Sequence, residues 1–120
     1  MSAADPGTPL GGLPRFLKEI LDVVDALGGK PPSAATQAML SNYAARVSSL
    51  AGAVWQRNPL PGDVKFGLED IGTSLQILAG EVASGNKERM QDIKDCKELI
   101  IHCGQKTEER IHEIRRREAP

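Results

Sequence analysis

The sequence predicts an all-α protein, an antiparallel four-helix bundle with a long, partly projecting C-terminal helix. Three observations predict it. Apolar side chains recur at steps of three and four through most of the chain, which lines them along one side of a helix. The breaks between the periodic stretches, at 28–32, 58–62 and 84–85, are short corners rich in Gly and Pro, of the kind that join helices packed side by side. Aromatic side chains are few, only Phe16, Tyr43, Trp55 and Phe66, so the core must be built from Leu, Ile, Val and Ala. A chain of 120 residues makes one domain with room for one core.

Residues 1–12 are rich in Ala, Pro and Gly and read as an unstructured lead-in. Pro14 then stands where a first helical turn tolerates proline. Leu13, Phe16, Leu17, Ile20, Leu21, Val24 and Leu27 follow at helical spacing, and Gly28-Gly29 closes a first helix over 14–27. Its outward face carries Arg15, Lys18, Glu19, Asp22 and Asp25.

Lys30-Pro31-Pro32 is a stiff turn, and the Ser33 hydroxyl can accept an orphan amide hydrogen bond, which starts a second helix over 33–57. Leu40, Tyr43, Val47, Leu50 and Val54 form its stripe. Ala44, Ala45, Ser48, Ser49, Ala51, Gly52 and Ala53 lie between them and allow neighbouring helices to approach closely. Asn58-Pro59 ends it. After the corner Pro59-Leu60-Pro61-Gly62, Asp63 can cap a third helix over 63–83, in which Val64, Leu68, Ile71, Leu75, Leu78 and Val82 make a heptad-like seam. Gly67, Gly72 and Gly80 each weaken that helix by about 1 kcal/mol relative to Ala, so packing must compensate.

The fourth helix, 86–117, is the longest. Met90, Ile93, Cys96, Ile100, Cys103, Thr107, Ile111 and Ile114 recur along one side and most charges fall on the other. After Gly104 the stripe narrows to Ile111 and Ile114, so the end of the helix is expected to project and could pair with another helix. Residues 118–120 are a tail. The bundle as a whole covers 13–117.

Composition excludes several functions. Fifteen basic and sixteen acidic side chains nearly cancel, leaving no general field to recruit nucleic acid. Residues 1–12 have neither the basic start nor the apolar centre of a signal peptide, and no apolar run approaches the roughly 20 residues that span a bilayer. The expected location is the cytoplasm, with the membrane periphery as the other place to look.

Motifs for chemistry are weak. Gly80 to Lys87 looks superficially like a phosphate-binding loop. However, Asn86 displaces the lysine by one residue, Glu88 stands where Ser or Thr is wanted, and a helix precedes it instead of a buried strand. Cys96 and Cys103 share a helix face but lie about 10.5 Å apart along it, too far for a mutual disulfide, and read as buried structural thiols. His102 points away from that face, and the chain lacks cysteine or histidine on another helix to complete a metal site. Asp22, Asp25, Glu69 and Asp70 read as separate surface carboxylates, and no histidine is placed to activate a nucleophile. No enzyme, cofactor, metal or small-molecule substrate is expected.

The order of elements is similar to the N-terminal helical bundle of fungal signalling and cell-death proteins. Residues 13–24 (Leu-Pro-Arg-Phe-Leu-Lys-Glu-Ile-Leu-Asp-Val-Val), the corner Pro59-Leu60-Pro61 and the helix start Asn86-Lys87-Glu88-Arg89 carry the resemblance. That group includes HeLo-like domains and is similar to the four-helix bundle of the mixed-lineage kinase domain-like pseudokinase. The resemblance implies a bundle that precedes a nucleotide-binding oligomerisation domain, or one that permeabilises membranes as an executioner. The function expected is a non-enzymatic interaction or signalling module that binds a protein partner, or itself, through helix faces. Arg110, Arg115, Arg116, Arg117, Ile111 and Ile114 are the candidate partner or lipid contacts. The alternative is a membrane-permeabilising death effector whose first helix inserts through Leu13, Phe16, Leu17, Ile20, Leu21 and Val24. The net acidic outer face of that helix suits anionic lipid poorly.

Overall fold

The computed structural model describes residues 9–27, 34–53, 62–84 and 89–118. They form four helices packed together: α1 (Pro9–Ala26), α2 (Ala34–Ala53), α3 (Gly62–Ser84) and α4 (Arg89–Glu118). No strand occurs among the described residues. The molecule is elongated, 54 × 23 × 20 Å, as a 30-residue α4 requires, since such a helix alone is about 45 Å long. The close helix pairs are α2 with α3, α3 with α4, and α1 with α4.

α1 begins earlier than the sequence suggests. It starts at Pro9 and runs through Gly11, Gly12 and Pro14, so residues 9–12 belong to the helix and not to the lead-in. Proline suits a first helical position because it has no amide hydrogen to leave unpaired. Pro14 then removes only one early hydrogen bond, that to the Leu10 carbonyl. Leu10 shows why the helix extends. It continues the stripe Leu13, Leu17, Ile20, Val24 and Leu27 back by one step, and all six are buried. Each fully buried aliphatic side chain contributes about 1.5–3 kcal/mol, enough to offset about 1 kcal/mol for each helical glycine.

The other helices contribute matching stripes. Leu40, Tyr43, Ala44, Val47 and Ala51 come from α2; Val64, Leu68, Ile71, Leu75, Leu78 and Ala79 from α3; Ile93, Cys96, Ile100, Cys103 and Ile111 from α4. The Ser33 cap, the Asn58-Pro59 stop and the phosphate-loop-like residues 85–87 lie outside the described residues. Asp63 lies in the first turn of α3, where its Oδ1 accepts the Val64 amide at 2.9 Å.

Two glycines mark close approaches between helices. A Cβ at Gly67 would lie 3.0 Å from Cys103 Sγ and 3.2 Å from its Cβ, against α4. One at Gly72 would lie 3.3 Å from Ser48 Oγ and 3.8 Å from the Ala44 carbonyl, against α2. These approaches are the compensation that the glycines of the third helix demand, and the small residues of α2 are what Gly72 faces. Gly80 has no such role, because a Cβ there meets nothing within 4 Å.

Burial on α4 continues past Gly104. Thr107 is fully buried, and its hydroxyl donates to the Cys103 carbonyl at 2.7 Å, which satisfies a polar group within its own helix. Ile111 is buried and Ile114 packs against the core from its edge. The narrow stripe after Gly104 is therefore covered. It narrows because only one side of α4 meets α3 here, with a charged contact, Arg110 to Asp63, beside the apolar one.

Candidate functional site

The arginines that the sequence singles out do not act as one group. Arg110 is committed. Its Nη2 donates to Asp63 Oδ2 at 2.8 Å and its Nη1 to Glu113 Oε2 at 2.9 Å. The guanidinium holds the carboxyls of both Asp63 and Glu113 below the usual carboxylate range, and the two carboxylates in turn raise the pKa of Arg110. A shallow depression lined by Gly62, Asp63, Arg110, Glu113, Ile114 and Arg117 surrounds this cluster, but its charges largely cancel. Arg115, Arg116 and Arg117 are exposed on the last turn, where cations favour the negative end of the helix dipole.

The first-helix residues that would insert into lipid are engaged in the core. Leu13, Leu17, Ile20 and Val24 are buried, and Phe16 and Leu21 pack against them from the rim. The link from α1 to α2 is polar and aromatic. Tyr43 donates its hydroxyl hydrogen to Glu19 Oε1 at 2.7 Å, and this bond, with burial, raises the tyrosine pKa. Arg46 lies over the Phe16 ring at 4.8 Å and the Tyr43 ring at 5.4 Å. At the far end of α1, Asp25 accepts from Lys97 of α4 at 2.6 Å.

The thiols are inert structural groups. Cys96 and Cys103 are free and buried. Burial pushes the Cys103 thiol up to about 11 and raises Cys96 as well. Cys103 Sγ lies 3.8 Å from the Val64 carbonyl of α3. His102 and His112 are exposed. Of the surface carboxylates, Asp25 pairs with Lys97 and Glu69 with Lys65 at 3.9 Å. Among the described residues no group of three or more His, Cys, Asp or Glu side chains is placed to hold a metal ion, and no helix is long and apolar enough to cross a membrane.

The surface feature that sequence reasoning missed is a groove between α1 and α4. Pro14, Leu17 and Leu21 form one wall, Ile100, Ile101 and Gly104 the other, and Lys18, Gln105 and Glu108 stand at its rim. Ile101 is 46% exposed beside it, and a Cβ on Gly104 would meet nothing within 4 Å. The signal available was Ile101 next to Ile100: one of two adjacent isoleucines must leave the buried side of a helix. Compared with protein-family models, curated proteins and solved structures, the chain matches none of them.

Proposed function

We propose that this chain is a non-enzymatic helical interaction module, an adaptor-type bundle of the cytoplasm that acts through protein–protein contacts made by its helix faces. The observation that carries the reading is the α1–α4 groove. It is an apolar surface beside a partly exposed Ile101, and water contact with such surface is what binding a helix or loop would relieve. The bundle proposed with it is antiparallel throughout. On α3 and α4, Asp63 faces Arg110, Gly67 faces Cys103 and Ser74 faces Cys96; on α1 and α4, Asp25 faces Lys97 while Pro14 shares the groove with Glu108. Numbers that rise along one helix and fall along its neighbour support that topology. The resemblance of residues 13–24, 59–61 and 86–89 to the HeLo-like group supports a signalling setting.

A photo-crosslinking side chain at exposed Gln105, with one at exposed Asp70 on α3 as control, tests this reading. A discrete protein adduct from position 105, absent from position 70 and lost on Ile101→Asp, is expected. Absence of any adduct from the groove, together with leakage of anionic vesicles exposed to the purified chain, would replace the interaction module with the membrane-permeabilising effector.

A further inference from the structure

The outward stripe of α4 carries its own partner's pattern. Met90, Lys94, Ile101, Glu108 and His112 step by whole turns along the exposed side of the helix. Met90 is 59% and Ile101 46% exposed, so two of the large apolar side chains on the surface share this line. Lys94 and Glu108 are exposed and make no ion pair among the described residues. They stand seven residues either side of Ile101, about 10.5 Å in each direction.

We propose that a second copy of this chain is the occupant of the groove, joined through a two-fold axis at Ile101 with the two α4 helices antiparallel. This deepens the interaction-module reading and rests on it. The symmetry makes the contact isologous, so every pairing occurs twice. Lys94 then meets Glu108 of the partner subunit, and Glu108 meets Lys94 of the partner subunit. Met90 lies over the partner's His112. The two Ile101 side chains meet on the axis, beside the open space that Gly104 leaves next to the α1 wall.

Charge selects both direction and register. A parallel two-fold pairing would set Lys94 against Lys94 and Glu108 against Glu108. Sliding the antiparallel pair by one turn of four residues would in one direction set Glu98 opposite the partner's Glu108, and in the other leave Lys94 opposite the partner's Gly104, with its charge uncompensated. The register centred on Ile101 brings Lys94 and Glu108, neither of which has an ion-pair partner among the described residues, opposite each other at both ends. The nearby register that pairs Lys97 with Glu108 would instead draw Lys97 from Asp25. The stripe is a single helix face flanked by α1, so the contact belongs with the smaller, reversible interfaces.

Sedimentation equilibrium of the full chain, from low micromolar to near-millimolar protein, tests this. A monomer–dimer equilibrium is expected. Lys94→Glu and Glu108→Lys should each weaken it more than about tenfold, and the double reversal Lys94→Glu/Glu108→Lys should restore it. All these positions are exposed, and far-UV circular dichroism checks that each variant keeps its helices. A wild-type chain that stays monomeric throughout would overturn the proposal, as would single reversals that dimerise like wild type or a double reversal that does not recover. A monomeric chain that still yields a groove adduct with a different protein overturns self-pairing alone. The absence of both dimer and adduct removes the interaction module with it.

Discussion

Three glycines of α3 should respond to the same substitution with opposite signs. Glycine to alanine inside a helix gains about 1 kcal/mol from backbone propensity alone. At Gly80 that gain should appear in full, because the new methyl meets nothing within 4 Å. At Gly67 the methyl would lie 3.0 Å from Cys103 Sγ and 3.2 Å from its Cβ. The sulfur can rotate slightly, but the Cβ moves only with the backbone of α4, so the two helices must separate by a few tenths of an ångström. Overpacking of this kind costs about 1–3 kcal/mol, leaving Gly67→Ala destabilising by about 1 kcal/mol. Gly72 should fall between them, near neutral, since its tightest neighbour is the rotatable Ser48 hydroxyl at 3.3 Å. Urea unfolding followed by far-UV circular dichroism reads the series, and the span from Gly80→Ala to Gly67→Ala should be about 2 kcal/mol. Cys103→Ala should reduce the cost of Gly67→Ala in a double-mutant cycle by removing the sulfur. Equal stabilisation at all three positions would refute the close approach of α3 to α4.

Other consequences concern polar groups. Tyr43→Phe keeps the ring packing but removes the bond to Glu19, and should cost about 1 kcal/mol in the same unfolding assay; no loss would mean that the bond does not hold α1 to α2. Asp63 and Glu113 are held below the ordinary carboxylate range by Arg110, so their contribution is present above that range and disappears as pH falls through their lowered values. Asp63→Asn should therefore be less stable than wild type at neutral pH, with the gap closing on acidification; a gap independent of pH would contradict the ion pair. Cys96 and Cys103 should not react with Ellman's reagent in the native chain at mildly alkaline pH and should both react in urea. Prompt native reaction of either thiol would contradict their burial.

Much of the bundle can be read from residue spacing. The stripes through Leu13, Leu40, Val64 and Ile93 are the ones found buried, and Thr107 takes its place among them because its hydroxyl is satisfied one turn back. Met90, which the spacing places on the same stripe as Ile93, is instead 59% exposed, because a step of three residues back from Ile93, itself three back from Cys96, turns it toward the outer side of α4. The start of α1 is obscured because Gly11, Gly12 and Pro14 are poor helix formers, and local propensity yields to the burial of Leu10. The candidate site is harder to read. Nothing near Arg110 in sequence announces Asp63, which lies 47 positions away, so an arginine that looks available is already paired. The groove depends on α1 lying beside α4, and amphipathic spacing says which face of a helix is buried without saying which neighbour covers it.

The most direct measurement is a map of backbone amide shifts by nuclear magnetic resonance as the concentration of the isotopically labelled chain is raised. Shifts should gather on Lys94, Ile101, Gly104, Gln105 and Glu108 of α4 and on Lys18 and Leu21 of α1, and they should vanish in Glu108→Lys. Changes confined to Arg115, Arg116 and Arg117, or an unchanging spectrum at every concentration, would contradict the groove as the surface through which this bundle meets its own copy.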